Sequence, residues 1–311
     1  MNIKNKILVY VVTLKILILL IFLGYIRTDG FSLRLIQKPL VFSNKKTENI
    51  DEISSILDQN FKYLARGRQS FVFVSDDDKY VIKFLNSRRY DVELLKNNVF
   101  NSKYIKKHYE RRKKRFLEDC RALDLAFDNF RDEAALVYVH PYRTNCFNKT
   151  LNFFDKLNRK NSVDLDEVVF ILQKKANFIF YEALDKAEDS LKDHLIKDYL
   201  NVIEKRAKAL VIDSDLDRRH SNYAVLNNKV ITIDVGRTYL DEKLKEPYFF
   251  KKEIIRSTKS LRRYLMKRYP EKLVVLLNES EKIIKDFENT YLDKKYFSNH
   301  FDASIATSSS E

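Results

Sequence analysis

The sequence predicts an α+β protein, with a β-rich part before a mainly helical part and an apolar helix ahead of both. Residues 7–26 are almost wholly apolar, and residues 61–84 hold two β-forming runs around a polar turn. Beyond residue 102, apolar residues recur at helical spacing in most segments. Because the strand-forming and helix-forming segments are segregated along the chain, we expect an α+β arrangement rather than alternating βα units.

The composition restricts the class of protein and its partners. A chain of 311 residues suits one two-lobed domain or two small ones. Its 58 basic and 44 acidic residues give a net charge of +14, which favours an anionic membrane surface or a phosphorylated or acidic substrate. The sequence has no clear nucleic-acid-binding signature. Its two cysteines form no disulfide framework or zinc pattern. It does not indicate an oligomeric state.

The N-terminal segment, residues 1–27, predicts a membrane anchor. The run from Ile7 to Ile26 is long enough to span a bilayer, and Lys15 near its middle costs about 2.5–3.5 kcal/mol, which the surrounding Leu and Ile residues can offset. A cleaved signal peptide is the alternative, but no small-residue cleavage site follows. Lys4 and Lys6 precede the span, whereas five basic residues follow it: Arg27, Arg34, Lys38, Lys45 and Lys46. We therefore expect a single-pass protein of the cytoplasmic membrane with its main domain in the cytoplasm.

The next two segments differ in character. Residues 28–60 predict a juxtamembrane linker with a short helix, because isoleucines recur at helical spacing near its end. Residues 61–140 predict a β-hairpin followed by a long helix from Ser102 to Phe130, whose outer face is strongly basic.

Residues 141–300 predict a mainly helical part with one strand at Lys229–Asp234. Residues 301–311 are small and polar, so we expect a disordered tail. The expected helices are near Asp164–Lys186, Ser190–Leu210, Phe249–Arg268 and Glu271–Tyr291.

Four features in order along the chain carry chemistry. Gly67, one of only four glycines, lies in the predicted hairpin, and Lys83 lies on its second strand. Asp217 stands five residues before Asn222, and Asp234 of an Asp-Val-Gly turn follows after a predicted strand. A strand pair would bring the last two side chains together, and their oxygens are ligands that Mg²⁺ prefers.

These features resemble the protein-kinase-like superfamily, in a divergent bacterial form, from about Phe61 to Arg268. The resemblance implies a two-lobed protein-kinase-like fold behind the N-terminal transmembrane helix, with a small β-rich N-lobe at 61–140 and a helical C-lobe at 141–300. It implies transfer of the γ-phosphoryl group of ATP, with Mg²⁺, to a hydroxyl acceptor. The acceptor would be a lipopolysaccharide-type sugar, a small molecule or a protein.

The resemblance also assigns nucleotide-binding residues. Lys83 matches the family's lysine that contacts the α- and β-phosphates. A helix glutamate pairs with that lysine in the family; Glu110 and Glu118 compete, and the apolar stripe of the helix favours Glu110. The segment that resembles the family's nucleotide loop contributes Ala65, Gly67, Ser70 and Val72.

The catalytic and metal residues follow from the same resemblance. Asn222 and Asp234 match the family's magnesium ligands, and Asp217 matches the aspartate that engages the acceptor hydroxyl. No His-Arg-Asp precedes that position, so Asp215 or Asp213 would be the base if the loop carries an insertion.

The departures from the family pattern leave the substrate and the activity open. Val235 replaces the usual phenylalanine, and no Ala-Pro-Glu segment follows Gly236. These absences argue against an ordinary peptide-docking platform and are similar to those of bacterial kinases that phosphorylate lipopolysaccharide-core sugars. An inactive pseudokinase that acts as a membrane-tethered scaffold is the alternative. A third hypothesis, an exported helical protein unrelated to kinases, requires the N-terminus to be a signal sequence.

Overall fold

The computed structural model describes residues 3–43, 49–90, 103–215 and 222–308. Contacts divide the chain into two compact units, the first formed by residues 1–120 and 137–175 and the second by residues 121–136 and 176–311. The first unit holds a large sheet and the second is mainly helical, so the predicted α+β class is confirmed.

Helix α1 (Ile3–Arg27) is the N-terminal apolar helix. Its segment Tyr10–Arg27 has a mean hydropathy of 2.0, and none of it is buried inside the structure. By length and composition, this helix can cross a membrane.

The first unit is built on a seven-stranded sheet with the order β4-β7-β3-β2-β1-β5-β6. In β2 the residues alternate, so that Phe71 and Phe73 enter the core while Val72 faces the other side. Phe31 and Phe153 pack edge-to-face on Phe73, and these rings lie at the centre of the core. The strands are β1 (Phe61–Arg66), β2 (Ser70–Ser75), β3 (Tyr80–Leu85), β4 (Leu136–His140), β5 (Thr150–Phe154), β6 (Lys160–Asp164) and β7 (Phe170–Lys174).

The segment after α1 is packed into the first unit, although we expected a linker there. Gly30 has φ = +65°, and its N–H donates to Tyr25 O at 2.8 Å, which ends the helix in a tight turn. Phe31 then enters the aromatic core, and the amide of Gln37 bonds to Leu85 O of β3. The predicted short helix is α2 (Ile50–Ile56).

The sheet also extends further along the chain than we predicted. Residues 150–174 form β5, β6 and β7, although we expected a helical C-lobe from residue 141 and a helix beginning at Asp164. The helix prediction was wrong for this stretch, because Phe170–Leu172 is buried on both sides and shows no amphipathic period. Of the predicted helix at Asp164–Lys186, only the last part is confirmed, as α4 (Phe180–Lys186).

Helix α3 (Lys103–Phe130) agrees with the predicted long helix. In its described residues, the second unit then contains the end of α3, a three-stranded and a two-stranded sheet, and α4 with four further helices that share a large hydrophobic core. The predicted helix at Phe249–Arg268 is interrupted at Thr258, and the last helix continues to Ser308, through most of the tail that we expected to be disordered. The four helices are α5 (Asp189–Lys208), α6 (Pro247–Ser257), α7 (Lys259–Arg268) and α8 (Pro270–Ser308).

Short strands also belong to the second unit. Strand β10 pairs with β8 and β11, and β9 pairs with β12. The predicted strand at Lys229 is confirmed as β11. These strands are β8 (Phe178–Ile179), β9 (Val211–Asp213), β10 (Tyr223–Leu226), β11 (Lys229–Thr232) and β12 (Thr238–Leu240).

Candidate active site

The predicted nucleotide loop is the turn between β1 and β2. The amide of Gly67 donates to Ser70 O at 2.9 Å and closes the turn. A Cβ atom added at Gly67 would lie 3.6 Å from Ser70 O, which is an ordinary contact. The fold therefore does not require glycine at this position, unlike at Gly30, where the added atom would lie 2.4 Å from a ring carbon of Tyr25.

Three of the predicted nucleotide-binding residues form one row across the sheet. Ala65 is the register partner of Val72, Val72 is the partner of Lys83, and Lys83 is the partner of Ile171. Directly opposed residues point to the same face, so this row lies on the face away from the aromatic core. Ser70 shares that face, and Lys83 is half-buried.

The predicted glutamate partner of Lys83 is an exposed residue. Glu110 is exposed on α3, and no ion pair joins it to Lys83 in the part of the chain that the structure describes. The competing residue Glu118 is also exposed and lies 3.9 Å from Lys114. The pairing of Lys83 with Glu110 therefore stays a prediction without support from these contacts.

Sequence reasoning missed a buried acid on the same helix. Asp119 is 8% exposed and accepts hydrogen bonds from Arg89 Nε at 3.1 Å and from the Tyr90 hydroxyl at 2.8 Å. Burial, followed by the charge of Asp119, raises the pKa of Tyr90. The sequence carried a signal for this burial, because Asp119 lies beside Phe116 and Cys120 in the apolar stripe of the helix. A carboxylate on a buried face needs hydrogen-bond partners there.

In the second unit, the strand pairs bring the two predicted magnesium ligands together. Asn222 directly precedes β10 and Asp234 follows β11, and these two strands form a hairpin. The amide of Ile233 donates to Asn222 O at 2.8 Å, so the residues at the open end of the hairpin are neighbours. The Asp234 carboxylate accepts from the amide of Gly236 at 3.2 Å through Oδ1.

Asp213 and Asp215 lie close to this end of the hairpin. Asn222 Nδ2 donates to Asp215 O at 3.4 Å, and Asp213 Oδ1 accepts from the amide of Asp215 at 2.8 Å. Burial raises the pKa of Asp213 to about 6; the charge of Arg206 and this amide oppose the rise, while Asp234 and Asp215 add to it. Three aspartates and one asparagine therefore lie along the chain near this end of the hairpin, linked through backbone hydrogen bonds.

The candidate bases differ in environment. Asp213 is 7% exposed and lies 3.8 Å from the buried Arg206, which is the setting of a structural carboxylate. Asp215 is half-exposed, and its carboxylate lies 3.6 Å from Arg237 Nη1. Asp217 lies outside the described residues, so its role stays a prediction.

The donor set at the hairpin fits magnesium. Asn222 and Asp234 supply amide and carboxylate oxygens, which are hard ligands. Gly236 occupies only one acceptor position on Asp234, so its carboxylate keeps lone pairs for a cation. These features are compatible with Mg²⁺, whereas sulfur and imidazole ligands would favour zinc or copper.

A second polar cluster, His140, Cys146 and Asp166, lies in the first unit, with its ligand atoms within 4.8 Å of one another. The Thr144 hydroxyl already occupies its centre, at 2.9 Å from His140 Nε2 and 3.1 Å from Cys146 Sγ, and it also donates to Asp166. His140 Nδ1 contacts Val168 O at 2.8 Å. We interpret this cluster as a hydrogen-bonded centre that holds the connection before β5, rather than as a metal site.

Comparison with known proteins gives matches among solved structures. No protein-family model and no curated protein matches the chain. A co-crystal structure of WbdD with the kinase inhibitor LY294002 is 15% identical, with a TM-score of 0.36, and the match covers 72% of this chain and 45% of that one. A high-resolution WbdD structure is 14% identical, with the same TM-score and coverages of 72% and 46%.

A third match is a medium-resolution structure of WbdD, described as a bifunctional kinase-methyltransferase. It is 12% identical, with a TM-score of 0.36 and coverages of 70% and 43%. This chain is similar in fold to those structures. It spans less than half of their length. The function of this chain is therefore inferred from its own strand pairing and side chains.

Proposed function

We propose that this chain is a membrane-anchored phosphotransferase that uses ATP and Mg²⁺ to phosphorylate a hydroxyl group. The observation that carries the proposal is the hairpin β10–β11, which sets Asn222 beside Asp234. Asp213 and Asp215 lie at the same end of the unit. Phosphoryl transfer needs positioning and neutralisation of charge, and in this proposal Asn222 and Asp234 would supply the metal-binding part.

Each residue has a role in this proposal. Asn222 and Asp234 would hold Mg²⁺, which neutralises charge on the phosphates when bound. Lys83 would contact the α- and β-phosphates, and the β1–β2 turn around Gly67 would cover them. The aspartate at 215 or 217 would accept the proton of the acceptor hydroxyl. The hydroxyl oxygen then forms a bond to the γ-phosphorus, and the bond to the bridging oxygen breaks with its electrons on ADP.

The membrane attachment is part of the same proposal. Helix α1 would be a single-pass anchor, and the basic residues that follow it would keep the main domain on the cytoplasmic side. That compartment supplies ATP.

The test uses the full chain in detergent. We expect ATP with Mg²⁺ to raise the melting temperature and a slow transfer of phosphate to water to be measurable. Asp234→Ala should abolish both the magnesium-dependent stabilisation and the turnover, whereas Asp132→Ala, at a side chain that is 93% exposed, should change neither. An Asp234→Ala protein with full turnover would overturn the proposal.

A nucleotide-binding scaffold without activity is the second candidate. The nucleotide loop favours it, because Ala65 and Ser70 stand at two of the three positions where the resembled family has glycine. Stabilisation by ATP without any turnover would support the scaffold and exclude the phosphotransferase.

A further inference from the structure

Arginines collect where the end of α1 meets the sheet of the first unit. Strand β3 ends here at Leu85. The next residue, Asn86, bonds through its amide to Gln69 O at 2.8 Å and forms a bridge with Ile36, so the β1–β2 turn and the segment after α1 are neighbours. We call four exposed arginines of this region the basic rim. They are Arg27, Arg34, Arg66 and Arg88.

Two members of the basic rim lie at the depth of Tyr25, near the end of α1. The guanidinium carbons of Arg66 and Arg88 lie 5.3 and 5.6 Å from the centre of the Tyr25 ring. As a helix, the apolar run of residues 7–26 is about 30 Å long, which matches the hydrocarbon thickness of a bilayer. Tyrosines near the end of such a span lie at the membrane–water interface. Arginines packed on Tyr25 therefore lie at the level of the lipid headgroups.

The region of the basic rim has little compensating negative charge. Segments 25–38, 64–70 and 85–90 together contain a single acidic residue, Asp29. Its carboxylate is already paired with Lys156 at 2.7 Å. Among the residues that the structure describes, the four arginines of the basic rim form no ion pair. Clustered cations without counterions attract anionic groups.

Exposed leucines flank the same cations. Leu33 is 41% exposed and directly precedes Arg34, and Leu64 is 47% exposed and lies two residues before Arg66. At the boundary between headgroups and acyl chains, apolar side chains enter the lipid while neighbouring cations stay with the phosphates. The pairing of leucine with arginine therefore favours a membrane surface over a small soluble anion.

The direction of Arg66 also separates the basic rim from the residues assigned to the nucleotide. Arg66 is the register partner of Phe71, which points into the aromatic core, and its guanidinium carbon lies 6.0 Å from the centre of that ring. Lys83 belongs to the row on the opposite face of the sheet. Arg66 is therefore directed towards α1 and away from the face that carries Lys83.

We propose that the basic rim binds the headgroups of anionic phospholipids in the membrane that α1 crosses, and that this contact holds the β1–β2 turn at the bilayer surface. The inference rests on the membrane attachment in the proposed function, to which it adds a lipid-binding surface. Phosphate oxygens of the headgroups are good acceptors for planar guanidinium groups. The attraction of each arginine to an anionic surface falls off within about 8 Å at physiological salt.

The test compares the full chain in nanodiscs of phosphatidylcholine with the same chain in nanodiscs that also contain phosphatidylglycerol. Hydrogen exchange at residues 64–70 should be about tenfold slower with phosphatidylglycerol at low salt, and this difference should shrink at high salt. Arg34→Glu combined with Arg88→Glu should abolish the difference. The neutral pair Arg34→Gln and Arg88→Gln should reduce it by a smaller factor.

The matched control is Lys79→Glu combined with Lys174→Glu. Both lysines are exposed, and Lys174 is the register partner of Tyr80, at the opposite end of β3 from the basic rim. The two ends of this strand are about 17 Å apart, which exceeds the screening length of about 8 Å at physiological salt. The control should therefore keep the full effect of phosphatidylglycerol.

The outcomes separate this inference from the proposed membrane attachment. Equal exchange at residues 64–70 in the two nanodiscs, with residues 10–24 protected in both, would refute the basic rim and leave the anchor intact. A lipid effect that persists in the folded reversal variant would also refute it. Free exchange of residues 10–24 in both nanodiscs would overturn the anchor and this inference together. Protection of residues 64–70 that requires ATP with Mg²⁺, and not phosphatidylglycerol, would assign the arginines to the nucleotide and overturn the inference.

Discussion

Arg66 joins the end of the apolar helix to the hairpin that we assign to the nucleotide. Its Nη1 donates to the Tyr25 hydroxyl at 2.6 Å and to Asp29 O at 2.7 Å. Arg66 directly precedes Gly67, so these contacts act on the β1–β2 turn itself. The Asp29 carboxylate also accepts a hydrogen bond from the Tyr63 hydroxyl at 2.9 Å. The C-terminal end of α1 is therefore hydrogen-bonded to β1 of the sheet.

We expect Arg66→Ala to loosen the β1–β2 turn. Loss of the two hydrogen bonds should raise amide exchange at residues 64–70, although the cost to global stability should stay at about 1 kcal/mol, because the side chain is exposed. Arg68→Ala, on the same turn, is the control. Equal exchange in the two variants would show that the contacts to α1 do not hold the hairpin.

Gly30→Ala should destabilise the first unit. The backbone there has φ = +65°, and the new Cβ would meet Tyr25 Cε2 at 2.4 Å, so we expect a loss of about 1–3 kcal/mol. Gly24→Ala is the matched control, because nothing lies within 4 Å of its added Cβ. Thermal melting of the full chain in detergent measures both. A Gly30→Ala protein as stable as Gly24→Ala would contradict the tight turn at Gly30.

His140 should make stability depend on pH. Burial lowers its pKa, although its bond to Val168 and the charge of Asp166 oppose the shift. The unfolded chain therefore binds a proton that the folded state does not, and stability falls as the pH drops below the unfolded value of about 6.5, by at most about 1.4 kcal/mol per pH unit.

The measurement for His140 is a series of denaturant titrations between about pH 5 and pH 8, across that unfolded pKa. His140→Gln keeps a donor and an acceptor but does not titrate. The difference in the free energy of unfolding between the unmodified protein and this variant should therefore change over this pH range. If that difference in the free energy of unfolding stays constant with pH, the imidazole has the same proton affinity in the folded and unfolded states, which would contradict the prediction.

Glu253 should be important for the stability of the second unit. It is 3% exposed and bonds to Arg206, Arg256 and the Ser257 hydroxyl. Glu253→Ala would leave the buried guanidinium of Arg206 with fewer partners, and breaking such a pair costs about 3–5 kcal/mol.

The control for Glu253 is Glu242→Ala. This glutamate is 69% exposed and forms an exposed ion pair with Lys245, so its loss should cost about 0–1 kcal/mol. Chemical denaturation of both variants measures the difference. Similar losses would show that the buried network is not a major source of stability.

Much of the candidate site was accessible from the sequence because it depends on local pattern. Alternating residues predicted the strand that carries Lys83, and the spacing of Asn222 and Asp234 around one strand predicted their approach. The length of the apolar run that forms α1 was likewise predicted directly from the sequence. The glutamate partner of Lys83 was harder to predict. Helical periodicity shows which face of α3 carries Glu110, but not which residue of another element lies opposite that face.

By itself, the sequence determined the apolar span, the long helix α3 and the two hairpins that carry Lys83 and Asn222, because these follow from periodicities of two and 3.6 residues. Only the tertiary structure decided that Phe153 of β5 pairs in parallel with Phe61 of β1 and that Phe31 enters the same core. The reason is that these features depend on contacts between residues far apart in the chain. Such contacts are set by packing, for which neighbouring residues carry no signal.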